Sequence, residues 1–263
     1  MTVEDAAYTS ADPRPAPPAE ITSTSNARVK AACRLHQARH RRQQGQVLVE
    51  GAKLAHAALE AGVELSDLFV TDPDEPLLSW SEAGALVSDA VLAKVATTQN
   101  PQGVVAVAEW APLTEMPDTA QRILVLEGVS DPGNAGTLIR TAAGFGIDAV
   151  VLTAGSCDPA NPKALRASAG AAFSIPVAVT ELATVLDQLA GRDVATIGAT
   201  ATGGEVPEPV GEPWALFVGS EAHGLAEETT ERMQHLAEIP LSPAVESLNA
   251  AAAGAILLYA LTR

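Results

Sequence analysis

RILVLEGVSDPGNAGTLIRTAAGFGIDAVVLTA, residues 122–154, decides the fold of this chain. RILVLEGV is an apolar run too short for a buried helix and too continuous for a half-exposed strand, so it is expected as a strand covered on both faces. AGTLIRTAAGFG then follows helical spacing, and DAVVLTA returns to a strand. The same rhythm continues to the end of the chain. PKALRASAG is expected as a helix, SIPVAV as a strand, ELATVLDQLA as a helix, and DVATIGA, ALFVG and AEIPL as strands, before the closing helix SLNAAAAGAILLYALTR. Such alternation predicts an α/β fold with a parallel sheet over residues 122–263. Ligands of such sheets sit beyond the carboxyl ends of the strands, so the residues just after each strand are the ones to inspect.

Upstream the pattern differs. APLTEMPDTAQ is polar with Pro near both ends, and residues 110–121 are expected as a linker. Residues 21–109 are expected as a small α/β domain: a basic helix from Ser25 to about Gln44, a strand QVLVEG, a helix AKLAHAALEAG, then strands LSDLFV, ALVS and VVAVAEW with a helix DAVLAKVAT. Residues 1–20 hold four prolines among Asp, Glu and Ser, and are expected as a disordered tail.

Composition agrees with two domains. The chain has 263 residues, 47% apolar but only 3% aromatic, so Ala, Val, Leu and Ile must fill the core. No apolar run reaches about 18 residues and the start lacks a basic, apolar leader, so a cytoplasmic protein without membrane contact is expected. Cys33 and Cys157 show no ligand spacing, and no metal is expected. The net charge of −16 argues against a polyanionic partner, but the charge is unevenly spread. No acid occurs between Glu20 and Glu50, where Arg28, Lys30, Arg34, Arg39, Arg41 and Arg42 sum to +6 and leave −22 (−16 less +6) for the rest. That asymmetry suits a local nucleic-acid contact; a solvated basic helix face is the plainer alternative.

Three loops carry polar residues after strands. In EGVSDPGNAGTLIR, Asp131 or Asn134 can cap the helix and Arg140 lies about two turns in; neither GxGxxG nor GxxxxGK[ST] is present, so no dinucleotide or phosphate loop is expected. In LFVGSEAHGL, Gly219 and Gly224 leave backbone open to a close ligand, with Glu221 and a loop His223 between them. In IPLSPAVESLNAAAAGAILLYAL, Pro240 ends the strand and Ser247 is expected as the N-cap, with Asn249 in the first turn.

NAGTLIR, GSEAHGL and IPLSPAVESLN, in that order, resemble the three motifs of the SpoU (TrmH) RNA 2′-O-ribose methyltransferases of the SPOUT superfamily. The resemblance extends through NPKALRASAGAAF and, upstream, to ITSTSNARVK and QVLVEGAKLA, which are similar to the family's L30e-like RNA-recognition domain. It implies a C-terminal deep trefoil knot, a homodimer, and S-adenosylmethionine as methyl donor without a metal. It also implies donor contacts at Gly219, Ile239 and Leu248, and catalytic or substrate-facing roles for Asn134, Arg140, Ser247, Asn249 and Glu221. The substrate it implies is structured RNA, foremost 23S ribosomal RNA. Transfer RNA, a base-modifying relative, and a non-catalytic RNA-binding or assembly factor are the alternatives. An ordinary nucleotide-binding enzyme fits the sheet pattern only.

Methyl transfer to a hydroxyl is an in-line displacement in which alignment can contribute about 7–11 kcal/mol, against about 3–5 kcal/mol for one general base. Arginine is a poor general base, so the expected role of Arg140 is to hold an RNA phosphate and stabilise developing alkoxide charge.

Overall fold

The computed structural model describes residues 19–79 and 83–263. The expected tail lies outside them as far as residue 18, but its last two residues do not belong to a tail. Ala19 and Glu20 start β1 (Ala19–Ile21), which pairs in parallel with a strand further on. Then come α1 (Ala27–Arg34), α2 (Ala38–Gln44), β2 (Gln46–Glu50), α3 (Ala52–Glu60), β3 (Leu65–Val70), a 3-10 turn at Pro76–Ser79, β4 (Gly84–Val87), α4 (Asp89–Val95) and β5 (Val104–Glu109). These strands form a mixed sheet in the order β1-β4-β3-β5-β2, with β5 antiparallel to β2 and β3.

The expected single basic helix is two. Asn26 caps α1 by accepting from Arg28 N at 2.8 Å, and α2 ends at Gly45, whose φ of +66° suits a glycine. Between them Leu35 is 1% exposed. Burying that one apolar side chain, worth about 1.5–3 kcal/mol, turns the chain at Leu35–Gln37.

The second half contains β6 (Arg122–Leu126), α5 (Pro132–Gly144), β7 (Ala149–Leu152), α6 (Pro162–Ser168), α7 (Ala171–Ser174), β8 (Val177–Val179), α8 (Leu182–Ala190), β9 (Ala195–Thr200), β10 (Trp214–Val218), α9 (Glu227–Glu231), β11 (His235–Glu238) and α10 (Ala250–Leu261). All six strands run parallel in the order β11-β9-β10-β6-β7-β8. Alternate residues of each strand enter different cores. Leu124, Leu126, Leu216 and Val218 pack with α5 and α10, whereas Ile123, Val125, Ala215 and Phe217 pack with α8. The continuous Val/Ile/Leu runs are thus explained by burial on both faces.

Three expectations shift. The strand placed at AEIPL is His235–Glu238, leaving Pro240 beyond the ladder it cannot join. The closing helix begins at Ala250, with Asn249 rather than Ser247 as its N-cap. The stretch expected as a linker is docked: Leu113 exchanges backbone hydrogen bonds with Val177 and Val179 at 2.8 and 2.9 Å, and Met116 and Ala120 are buried. The two sheets share one apolar core, in which Trp110 meets Phe173 edge-on at 5.6 Å. Among the described residues no helix is long and apolar enough to cross a membrane.

Candidate active site

Pro132 opens α5 and Asp131 precedes it, an order that suits Asp131 as cap. Its carboxylate accepts from Gly133 N at 2.7 Å and Asn134 N at 3.0 Å, while Lys163 Nζ donates to it at 2.9 Å. With the cap supplied by Asp131, the Asn134 side chain is free for another use. Its Nδ2 donates to Glu221 Oε1 at 2.8 Å, and its Oδ1 accepts from Asn249 Nδ2 at 3.0 Å. Ionised Glu221 can only accept, which fixes the amide orientation of Asn134. Asn249 is held in turn, because its Oδ1 accepts from Ala251 N and Ala252 N at the start of α10. One residue from each of the three inspected loops therefore joins a single hydrogen-bonded chain.

Burial alone would raise the pKa of Glu221, but hydrogen bonds from Asn134 and from backbone amides, including Ser130 N, outweigh it and hold the carboxyl below its ordinary value. Asp131 is likewise held low, chiefly by the hydrogen bond from Lys163. Cys157 behaves oppositely: burial, then the charges of Asp158, Asp131 and Glu221, push its thiol up to about 12 and leave it a poor nucleophile.

Beside this chain lies a cavity of about 400 Å³. Gly219, Ile239, Leu248, Ser247 and Glu221 line it, whereas Asn134, Asn249 and Arg140 do not. Ser220 and Gly224 exchange backbone hydrogen bonds at 2.9 Å, closing the loop so tightly that a Cβ on Gly219 would stand 2.0 Å from Gly224 C. Arg140 is exposed on α5 and has no polar partner among the described residues. The sequence reading missed one wall. Ala199–Thr202, at the carboxyl end of β9, also line the cavity, and the run ATGG directly after that strand was the available signal. Among the described residues no group of His, Cys, Asp and Glu is placed to hold a metal ion.

The model of the SpoU rRNA methylase family matches residues 121–259, more than half of the chain. The chain belongs to the SpoU family. Residues 26–106 also match the MRM3-like substrate binding domain. Relatives of this SpoU protein span nearly its whole length. The 23S rRNA (guanosine(2553)-2′-O)-methyltransferase of Bacillus subtilis is 35% identical over 91% of this chain and 98% of its own. An uncharacterised tRNA/rRNA methyltransferase of Synechocystis is 39% identical over 92% of each. A crystal structure of an RNA 2′-O ribose methyltransferase superposes with a TM-score of 0.78 at 33% identity, covering 91% of this chain and 96% of that one. An AdoMet-bound rRNA methyltransferase from Sinorhizobium meliloti gives a TM-score of 0.81 at 29% identity, covering 91% and 95%.

In this SpoU protein the six basic residues expected at RNA divide into two groups. Lys30, Arg34, Arg39 and Arg42 are exposed on α1 and α2. Arg41 is not available: it is 4% exposed, donates to Leu35 O and His36 O, and pairs with Asp158 at 2.6 Å. Arg28 is also engaged internally, pairing with Asp67 at 2.6 Å, donating to Ala83 O and lying 5.8 Å over the Phe69 ring. Both correct the expectation. Their counter-charges lie 117 and 39 residues away in sequence, Asp158 holding Arg41 in the interior and Asp67 holding the half-buried Arg28.

Proposed function

We propose that this chain transfers a methyl group from S-adenosylmethionine to a ribose 2′-hydroxyl of 23S ribosomal RNA. The observation that carries the proposal is the Glu221–Asn134–Asn249 chain set at the rim of the cavity. The cavity suits the donor. Its volume lies within the about 300–1,000 Å³ of small-molecule sites, and its lining mixes apolar Ile239, Leu241, Leu248 and Leu257 with Gly219, which carries no side chain. No Lys or Arg lines it and Glu221 does, which favours a cationic sulfonium over a nucleotide phosphate. Gly219, Ile239 and Leu248 would hold the donor, helped by Thr200 and Thr202, with Ser247 at the edge. The donor, when bound, supplies an electrophilic methyl carbon.

The chain's own residues then have to orient the acceptor. Asn134 uses one Nδ2 hydrogen on Glu221 and one Oδ1 lone pair on Asn249, which leaves one donor and one acceptor for a ribose hydroxyl. Glu221 is occupied by Asn134 and Ser130, so its role is to hold Asn134 rather than to take a proton. Arg140, exposed and unpaired one face away on α5, would grip the adjacent phosphate and stabilise charge developing on the oxygen. Lys30, Arg34, Arg39 and Arg42 would contact the RNA backbone further out.

Two structural expectations belong to the same reading. The trefoil knot is supported by α10, which follows edge strand β11 yet returns to pack on α5, β9 and β10 beside the 219–225 loop. A homodimer is supported by the apolar groups that α10 and its approach leave exposed: Ile256, Tyr259, Leu241 and Val245. The deciding experiment incubates the protein with methyl-labelled donor and separated ribosomal and transfer RNA pools, then maps the product by nuclease resistance. Label in 23S RNA at a nuclease-resistant linkage supports the proposal; label in transfer RNA, on a base, or in neither pool overturns it.

A further inference from the structure

Between the two sheets, α6 touches everything that has to be kept in register. The turn leading into it begins at Asp158, whose Oδ1 accepts from Ala160 N at 3.0 Å and whose Oδ2 takes Arg41 Nη2 at 2.6 Å. Near its other end, Arg166 Nη1 donates to Glu50 Oε1 and Thr97 Oγ1, both at 3.0 Å. Glu50, at the end of β2, is 9% exposed and also accepts from the backbone and hydroxyl groups of Thr97 and Thr98. Between these two anchors Lys163 reaches Asp131, the cap that presents Asn134. The helix packs directly on α5, where Gly136 lies so close that a Cβ there would stand 2.3 Å from Ala164 O.

Resting on the proposed function, we infer that α6 is a strut setting the distance from the RNA-gripping face of the first sheet to Asn134 and Arg140. The pairs Arg41–Asp158 and Glu50–Arg166 are its pins and act as positioning residues. Helix α2 makes the geometry plain: Arg39 and Arg42 face outward, while Arg41 between them is bolted inward to Asp158. RNA held by the outer face is thereby held at a fixed distance from the hydroxyl-orienting chain. Adhesion between the halves does not require these pins, since apolar contacts such as Trp110 on Phe173 already supply it. Buried ion pairs add little net stability over apolar contacts, but they are directional. What they contribute here is register, and displacement by about 1 Å at a reacting centre costs about a hundredfold in rate.

The test compares Asp158→Asn, Glu50→Gln, their double variant and Asp158→Glu in the full chain. The double variant is expected to lose at least about tenfold in kcat on the rRNA acceptor, while equilibrium RNA binding and donor binding stay within about twofold. Small-angle scattering is expected to show a broader spread of separations between the halves. Asp158→Glu keeps the charge but lengthens the pin by a methylene; it is expected to lower kcat while retaining the wild-type Tm. Weakened RNA binding with unchanged kcat would overturn the inference by making the pins RNA contacts. So would wild-type kcat and scattering in the double variant. Wild-type protein inactive on every RNA would instead defeat the proposed function, and the scattering comparison, which needs no substrate, would still decide the pins.

Discussion

Replacing Gly136 by Ala pits two opposing effects against each other in one residue. Ala is favoured over Gly within a helix by about 1 kcal/mol, so propensity alone predicts that Gly136→Ala stabilises α5. The surroundings predict the reverse. The new Cβ would lie 2.3 Å from Ala164 O, 2.6 Å from Ala167 Cβ and 3.0 Å from Ser168 N, and two of those three are backbone atoms that no rotamer change can clear. Restoring ordinary contact means moving α6 away from α5 by about 1 Å, and overpacking of this kind costs up to about 3 kcal/mol. Net destabilisation of about 2 kcal/mol follows, which for a chain of this size lowers Tm by about 4–8 °C. The same displacement moves Lys163 off Asp131 and hence disturbs Asn134, so methyl transfer should fall by about a hundredfold even well below the melting range. Thermal unfolding by circular dichroism and a labelled-donor assay at 25 °C measure the two effects separately. A Gly136→Ala protein with unchanged or higher Tm and activity within twofold of wild type would refute the reasoning, because it would mean that the close α5–α6 approach constrains nothing.

Other consequences are equally direct. Arg140→Ala should abolish turnover while calorimetry finds donor binding near normal, whereas Gly219→Ala, whose Cβ would collide with Gly224, should abolish donor binding itself. Exchange of these two phenotypes would reverse the assigned roles. Arg39→Ala with Arg42→Ala should weaken RNA binding and reduce the slope of log K against log salt by about 1.4–1.8, if each contacts one phosphate, with Tm unchanged. Arg41→Ala should instead lower Tm, because it strands Asp158. Acid stability follows from Glu50: burial would raise its pKa, but the hydrogen bonds from Thr97 and Thr98 and the charge of Arg166 hold it low, as partners also do for Asp131 and Glu221. Folded-state pKa values below the unfolded ones of about 3.9–4.3 mean that this stability is fully present above them and is lost as pH falls through the folded values. Tm should be flat above about pH 5 and fall below about pH 4; a flat profile to pH 3 would contradict it.

The strands of the parallel sheet were legible because burial on both faces leaves one residue class to choose from, as at Arg122–Leu126 and Trp214–Val218. Caps were harder. In DPGN and in SLN, two residues of each motif are good N-caps by chemistry, and local propensity does not separate them. Tertiary bonds do: Lys163 on Asp131 frees Asn134, and Asn134 draws Asn249 to the head of α10. Arg41 was illegible for a related reason. ARHRRQQ offers no apolar residue larger than Ala to mark its inner face, and the charge that takes Arg41 inside belongs to Asp158 on the other half of the chain. A polar side chain is buried only where a partner waits, and partners distant in sequence leave no local pattern.

This division of the cations bears on how so acidic a protein selects RNA. With Arg41 buried and Arg28 tied to Asp67, four of the six basic groups, Lys30, Arg34, Arg39 and Arg42, are exposed and, among the described residues, unengaged on an acid-free segment of a chain whose net charge is −16. Four phosphate contacts give only modest, salt-sensitive affinity, and the acidic remainder repels RNA that approaches from other sides. Affinity is therefore a weak discriminator on the proposed function, and orientation carries the selection. RNA that settles on α1 and α2 in the productive direction brings its hydroxyl to Asn134, while RNA held in another direction brings none. That discrimination requires the two ends to stay at a fixed separation, which is the role assigned to the two directional ion pairs, buried Arg41–Asp158 and half-buried Arg166–Glu50, that cross the junction where apolar contact alone would have sufficed to join the halves.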